Sequence, residues 1–142
     1  MQASLQLDRF ALEELVIEVE SDLKESSQTT ASYNTNIDVD VQKHNEKMVF
    51  RVYLRVEIKP ERIPGPGEIR RVVIGCVGYF SFAQEPTDEY IRQVTPLNQL
   101  AMLYGMARGI VASATGSTSG GTFVLPSVNF VEVLKSKATE QE

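Results

Sequence analysis

Few residues of this chain could act as a nucleophile, a base or a metal ligand. The 142 residues include one histidine, His44, and one cysteine, Cys76. A Cys–His pair needs the two side chains in contact, but His44 falls in a polar K-H-N-E turn and Cys76 on the apolar face of a strand pattern. A structural zinc site takes four ligands, usually Cys or His, and would lack them here. We therefore expect an exposed turn histidine and a buried structural thiol.

Paired carboxylates and a glycine-rich loop offer two further chemical possibilities, and each has a simpler interpretation. Glu18/Glu20 and Asp38/Asp40 alternate with apolar residues, which indicates the solvent side of edge-like strands. A catalytic dyad would need one carboxylate in an apolar setting. The G-S-T-S-G-G loop, residues 116–121, lacks the lysine of a phosphate loop and follows a helix pattern rather than a strand. The sequence favours a protein that is not an enzyme and uses no cofactor; an enzyme or small-molecule binder is the alternative.

Four segments alternate apolar and polar residues with the period of two that is typical of half-buried strands. These segments are residues 5–20, 37–42, 48–59 and 69–84. The first changes phase near Arg9 and Phe10, as at a bulge. The second and third flank a short polar turn and predict a hairpin, and the fourth is apolar on both faces, as a central strand is. With the helix that follows, this order predicts one α+β domain over residues 1–142, with an antiparallel sheet joined by hairpin-type links.

A helix pattern from Pro96 to near Gly116 is apolar nearly all the way round. A surface helix of a monomer needs one apolar stripe, so a second stripe must be covered by another copy or by a bound molecule. We expect a dimer or tetramer, with an interface that contains Leu100, Leu103, Tyr104, Ala107 and Val111. Beyond the helix, residues 128–135 form a short strand or helix, and residues 137–142 are a frayed tail.

Apolar and aromatic side chains exceed what a small core needs. Met and aromatic residues make adaptable contacts and recur on surfaces that bind many partners. Such a surface is either a site for varied partners or a fixed oligomer interface, and we expect Phe80 and Phe82 to be the members most prone to lie in the core instead. The candidate residues are Tyr53, Tyr79, Phe80, Phe82, Met102, Met106 and Val128.

The overall composition excludes several classes of protein. A net charge of −5 argues against a nucleic-acid-binding surface, which would be basic. The sequence contains no long uncharged apolar run, and its first ten residues lack the basic start and apolar block of a signal peptide. One cysteine leaves no internal disulfide. We expect a cytoplasmic protein without a membrane span.

Four motifs in order resemble the SecB family of protein-export chaperones. They are L-Q-L-D-R-F-A-L-E-E-L-V-I-E at residues 5–18, G-Y-F-S-F at 78–82, L-Y-G-M-A-R at 103–108 and L-P-S-V-N-F at 125–130. The likeness spans nearly the whole chain. Gly105 and Met106 stand where the family has Pro and Tyr, and Val73 stands near an acidic position of the family's fourth strand.

The resemblance implies a SecB-like subunit, with a four-stranded antiparallel sheet, a long helix and a short C-terminal segment. It implies dimers that pair into a homotetramer. It also implies a holdase that binds non-native polypeptide without nucleotide, at the candidate apolar and aromatic residues given above, and keeps precursors competent for Sec translocation. It also implies a face for a SecA-type partner, to which Glu14 and Glu18 correspond; the two lie roughly 13 Å apart along the strand. A SecB-like chaperone dedicated to one partner, such as an antitoxin of a toxin–antitoxin system, is the alternative.

Overall fold

The computed structural model describes residues 5–20, 33–44, 49–61, 67–82, 95–118 and 121–140, with the backbone alone for His44 and residues 137–140. Within these ranges the fold is α+β, as the sequence predicts. Four strands form one antiparallel sheet, and two helices lie on one face of that sheet. The sequence P-T-D at residues 86–88 predicts the opening of the helical region, and these residues lie outside the described ranges.

The strands are β1 (Leu5–Val19), β2 (Tyr33–His44), β3 (Val49–Pro60) and β4 (Ile69–Phe82), and their order in the sheet is β1-β4-β3-β2. β4 is central, and every residue from Val72 to Gly78 is buried. β2 and β3 form the expected antiparallel pair. β1 pairs with β4 and not with its sequence neighbour β2, so the expected hairpin-type links do not include one between β1 and β2. A strand that is apolar on both faces needs a neighbour at each edge, and β1 supplies the second neighbour of β4.

β1 is an irregular edge strand. Its register against β4 shifts between Leu7 and Arg9 and again between Leu12 and Glu14, with a third shift at Val19. The predicted phase change near Arg9 is therefore present, and two further shifts accompany it. Each shift leaves an unpaired residue and increases the local twist. By contrast, β2 runs against β3 from Tyr33 to His44 without a shift.

Helix α1 (Thr95–Thr115) packs on the inner face of the sheet, which we define by Val52, Leu54, Ile74 and Cys76. Leu103 of the helix packs against β4 at Gly78. A Cβ atom built on Gly78 would lie 2.7 Å from Leu103 Cδ2 and 2.7 Å from Phe80 Cε2. The absence of a side chain at this position therefore sets how near the helix can lie to the sheet.

Helix α2 (Phe130–Glu140) follows a nonhelical segment, residues 121–129. Its start is fixed by Asn129, whose side-chain Oδ1 accepts hydrogen bonds from the backbone N–H groups of Val131 (3.1 Å) and Glu132 (3.4 Å). Asn is among the best residues for this capping position. The sequence left a strand or a helix open here, and the structure has a helix. Its backbone continues to Glu140, so residues 137–140 belong to the helix and not to a frayed tail.

Gly78→Ala is expected to lower the free energy of unfolding by about 1–3 kcal/mol, because the added methyl group must displace Leu103 or Phe80. Gly105→Ala is a matched control on the exposed side of α1, where a Cβ meets nothing within 4 Å. The control should stabilise the protein by about 0.5–1 kcal/mol, since Ala is the better helix former. Urea denaturation of both variants measures the difference, and a stabilising Gly78→Ala would contradict the close packing.

Candidate functional site

The outer face of the sheet, opposite α1, carries a ladder of ion pairs. Glu14 on β1 and Arg55 on β3 lie either side of Gly75 on β4. Arg55 Nε donates a hydrogen bond of 2.9 Å to Glu14 Oε1 across this glycine. A Cβ on Gly75 would lie 3.3 Å from Glu14 Cβ and 3.5 Å from the Tyr53 hydroxyl, so the glycine leaves room for both side chains. The hydrogen bond to Glu14 raises the pKa of the Arg55 guanidinium.

Glu18, the second predicted SecA-type contact, lies on the same outer face. Arg70 donates to its carboxylate at 3.1 Å, and Arg71 lies 4.0 Å away. Arg71 also bonds Glu57 on β3, with an N–O distance of 3.0 Å. Both Glu14 and Glu18 thus share a face, as the sequence predicts, but each already has an arginine partner. A basic ligand would have to compete with these arginines for the carboxylates.

The two outer-face tyrosines also pack within the subunit. The Arg9 guanidinium lies 5.7 Å from the centre of the Tyr79 ring, within the range of a cation–π contact. Partial burial raises the pKa of Tyr53. Val73 and Val77, on the outer face of β4, have 0% exposure. Long neighbouring side chains therefore cover the outer face and leave little apolar surface there for a ligand.

The inner stripe of α1 is the subunit's own core. All five residues that the sequence placed at an oligomer interface are buried in this single chain, four of them completely: Leu100, Leu103, Tyr104, Ala107 and Val111. The assignment of this stripe to the interface was therefore wrong, because the stripe packs on the sheet. Phe80 is also completely buried, and Phe82 is half-buried with its ring 5.9 Å from that of Phe50.

A second stripe of α1 is uncovered, as its composition suggested. Met102 and Met106 are 39% and 37% exposed, and Met106 and Ile110 line a shallow depression on the helix. On the strand side, Leu12 and Leu15 are 45% and 38% exposed although their register places them on the inner face beside Cys76 and Ile74. We call Leu12, Leu15, Met102, Met106 and Ile110 the open apolar surface.

A groove of about 380 Å³ separates the edge strand β2 from α2. Its walls combine aliphatic side chains with hydroxyl, amide and carboxylate groups. The lining residues are Thr35, Ile37, Pro126, Ser127, Val128, Asn129, Glu132, Val133 and Ser136. Val128 is thus the one predicted polypeptide-binding residue that lies in this groove. The other lining residues were not singled out from the sequence, because the pairing of a strand edge with a distant loop leaves no local pattern.

The wall formed by residues 121–130 is held against α1 by hydrogen bonds and ring contacts. Tyr104, whose hydroxyl donates to the Pro126 carbonyl, packs edge-on against Phe130 with ring centres 5.4 Å apart. Thr115 Oγ1 accepts from the Phe123 backbone N–H at 2.8 Å and donates to the Val111 carbonyl at 2.7 Å. These contacts make the L-P-S-V-N-F segment a fixed wall of the groove.

Of the residues considered for catalysis or metal binding, Cys76 lies on the inner face of the sheet, and the side chain of His44 is outside the described part of the structure. Cys76 is completely buried, and burial raises the pKa of its thiol to about 11. Within the described ranges, no three His, Cys, Asp or Glu side chains are grouped so that they could hold a metal ion. In the same part of the chain, no helix is long and apolar enough to cross a membrane.

Comparison with known proteins identifies the fold. No protein-family model matches the sequence, and no curated protein matches it. The structure is similar to that of the Rv1957 SecB-like chaperone of Mycobacterium tuberculosis, solved in complex with a ChAD peptide from the Rv1956 HigA1 antitoxin. The TM-score is 0.60 and the identity 14%, over 88% of this chain and 90% of that chain. This protein therefore has a SecB-like fold.

The contribution of Glu57 to the free energy of unfolding should depend on pH, which tests the ion pairs of the outer face. Its hydrogen bond from Arg71 lowers the pKa of the Glu57 carboxyl. A lowered folded-state pKa contributes stability that is complete above the unfolded-state value, about 4.3, and is lost as the pH falls through the folded-state value. Glu57→Gln is therefore expected to lower the free energy of unfolding at pH 7 by about 1–2 kcal/mol, with a smaller loss at pH 3.

Urea denaturation at pH values from 7 to 3 measures this loss. Asp8→Asn, at an exposed position on the irregular edge strand, is the control for removing one carboxylate. A stability difference between wild type and Glu57→Gln that stays constant over the whole pH range would show that the Arg71 contact does not stabilise the fold.

Proposed function

We propose that this protein is a SecB-like chaperone, a holdase that binds non-native polypeptide without nucleotide. The observation that carries the proposal is a SecB-like fold whose apolar side chains are not all covered by its own helices. Leu12 and Leu15 on β1 and Met102 and Met106 on α1 are exposed, and a groove lies between β2 and α2. Exposed apolar surface of this kind is typical of a binding protein.

The β2–α2 groove is the surface we assign to polypeptide. An unfolded segment presents apolar side chains and backbone groups that need hydrogen-bond partners. The groove offers both, since Ile37, Val128 and Val133 provide apolar contact and Ser127 and Asn129 provide polar atoms. One groove of about 380 Å³ accommodates only a short segment. Useful affinity for a long chain would then come from several grooves on one oligomer.

The open apolar surface is the part we assign to a second copy of the chain. The backbone of α1 is already hydrogen-bonded within the helix, so Met102, Met106 and Ile110 offer apolar contact without partners for an unfolded backbone. A second apolar surface fits it better than an extended segment does, and a dimer or homotetramer would bury it. Met102 and Met106, expected from the sequence to bind polypeptide, would then lie between subunits.

Such a chaperone either delivers precursors to Sec translocation or serves one dedicated partner. Delivery of precursors to Sec translocation would use the acidic outer face, but Glu14 and Glu18 are paired with Arg55 and Arg70. A chaperone dedicated to one partner needs no such delivery face. The similar Mycobacterium protein was solved with an antitoxin peptide, and together these observations favour the dedicated chaperone as the second candidate. Either role is compatible with the cytoplasmic location expected from the sequence.

The state of Cys76 argues against one enzymatic route, nucleophilic attack by a thiolate. A thiol with a pKa of about 11 is protonated at neutral pH, and the thiolate is the reactive form. The proposed mechanism therefore uses no covalent step. It consists of transient burial of exposed apolar segments, which lowers the concentration of free segments able to aggregate.

Val128→Asp tests the groove. A charge beside Ile37 and Val133 should weaken binding of an unfolded precursor by about tenfold, since an ion in an apolar contact loses its hydration. Val124→Asp is the matched control, because Val124 is 56% exposed and does not line the groove. The measurement is suppression of precursor aggregation by light scattering in the absence of ATP. Equal loss in both variants, or none in either, would contradict the assignment.

Met106→Glu tests the open apolar surface. We expect the wild-type protein to sediment as a dimer or tetramer at micromolar concentration, and the variant to sediment as a smaller species, because the interface would bury an unpaired charge. Val131→Glu provides the control on α2, where Val131 is 43% exposed. A wild-type mass equal to one subunit would show that the surface does not join copies of the chain.

A double variant, Glu14→Gln with Glu18→Gln, distinguishes Sec delivery from a role dedicated to one partner. Delivery to a SecA-type partner requires these carboxylates, so the variant should bind the basic C-terminal tail of SecA more weakly and with less dependence on salt. A dedicated chaperone should show no tail binding in either form while still suppressing aggregation. Titration of the tail at low and high salt distinguishes the outcomes, and unchanged tail affinity would exclude these two residues as the contact.

A further inference from the structure

A second cavity, of about 170 Å³, lies at the end of the sheet where β2 and β4 begin. Its walls come from Tyr33 at the start of β2, from residues 67–69 at the start of β4, and from Thr118 and residues 121–123 between α1 and α2. It shares no lining residue with the β2–α2 groove. The cavity is therefore a separate candidate site.

Backbone hydrogen bonds fix the walls of this cavity. The Glu20 N–H donates to the Glu68 carbonyl at 2.9 Å, and the Gly67 N–H donates to the Glu20 carbonyl at 2.9 Å. Between the helices, the Gly121 N–H donates to the Thr118 carbonyl at 3.0 Å. Gly67 and Gly121 have φ angles of 79° and 80°, which residues with a side chain rarely adopt. The cavity is therefore shaped by the fold before any ligand binds.

Two aromatic rings line the cavity. Tyr33 and Phe123 pack edge-on, with ring centres 5.3 Å apart and ring planes at 79°. Both side chains are half-buried, and Ile69 adds a further apolar group to the lining. A positive charge within about 6 Å of the centre of an aromatic ring is attracted to the face of that ring. This part of the lining therefore suits both the alkyl groups and the charge of an organic cation.

The charge at the cavity is negative. Glu68 is the one ionised residue among those that line it. Burial raises the pKa of the Tyr33 hydroxyl, and the Glu68 carboxylate raises it further, so the field of this carboxylate extends to the ring. Helix α1 ends at Thr115, three residues before Thr118, and has no basic residue in its last turn to offset the negative end of the helix dipole. The carboxylate and the helix end both favour a cation over an anion.

We propose that this cavity is a binding site for a small organic ammonium ion, with the positive nitrogen beside Glu68 and the alkyl groups against Tyr33 and Phe123. A volume of about 170 Å³ equals roughly six water molecules at about 30 Å³ each, which suits a cation of about that many non-hydrogen atoms. Glu68 also interacts within the subunit. A carboxylate with such a contact still attracts a nearby cation through its charge. The proposed site is independent of polypeptide binding.

Choline tests the role of charge. Its matched control is the neutral carbon analogue, in which a tert-butyl group replaces trimethylammonium. Both compounds are titrated into the full chain at constant ionic strength, and amide NMR spectra give the affinity and the location of binding. We expect choline to shift the resonances of residues 67–69 and 121–123, and the neutral analogue to bind at least about tenfold more weakly. Equal affinities, no binding of choline, or shifts confined to other residues would overturn the proposal.

Substitutions at the cavity test the roles of the carboxylate and the ring. Glu68→Gln should lower choline affinity at least about tenfold, whereas Glu132→Gln, at a carboxylate that lines the β2–α2 groove, should leave it unchanged. Tyr33→Leu should also lower the affinity, and Tyr33→Phe should retain it because the ring remains. Thermal unfolding without ligand shows whether each variant is folded, and Glu68→Gln decides if Tyr33→Leu is not. Choline affinity that Glu68→Gln does not change contradicts the proposal.

Potassium chloride distinguishes a site for organic cations from a site for inorganic ones. Choline should stay bound when potassium is present at equal concentration, because a potassium ion offers no alkyl groups to the two rings. Displacement of choline under these conditions would identify a site for inorganic cations and would overturn the proposal.

Discussion

One helix cannot cover a four-stranded sheet, and this mismatch of widths determines the surfaces of the molecule. A helix with its side chains is about 10 Å across, whereas strands are spaced about 4.8 Å apart, so α1 covers little more than two of them. Packing at Gly78 seats α1 over β3 and β4. The inner face then extends beyond the helix on both sides. On the β1 side it leaves Leu12 and Leu15 exposed, and on the β2 side it leaves a groove closed by α2.

The apolar side chains on the two faces of the sheet are covered in different ways. On the outer face, Gly75 allows Glu14 and Arg55 to meet across β4, and long side chains exclude water from Val73 and Val77. The charged and apolar groups of the outer face therefore find their contacts within the subunit. On the inner face, by contrast, apolar groups remain exposed at its margins. Binding is therefore expected at the margins of the helix layer, where covering the surface releases water, and not over the paired charges of the outer face.

The sequence predicts the elements well because their signals are local. Alternation identifies the strands, and the helix limits near Pro96 and Gly116 agree with α1. The neighbour of β1 is not local information, since its contacts with β4 lie more than fifty residues away in the chain for most of the strand. The stripe of α1 that faces the sheet also could not be chosen, because both stripes are apolar and the contacts that distinguish them are with strands distant in the sequence. Leu12 and Leu15 were missed for the same reason: their exposure depends on the width of the helix and not on their own pattern.

The most direct test of the chaperone role compares one precursor in its unfolded and folded forms. Isothermal titration calorimetry of both forms with the wild-type protein, without nucleotide, gives the affinity and its heat-capacity change. A holdase that buries apolar segments should bind the unfolded form with a negative heat-capacity change and should not bind the folded form. Equal binding to both forms, or binding to neither, would contradict the proposed function.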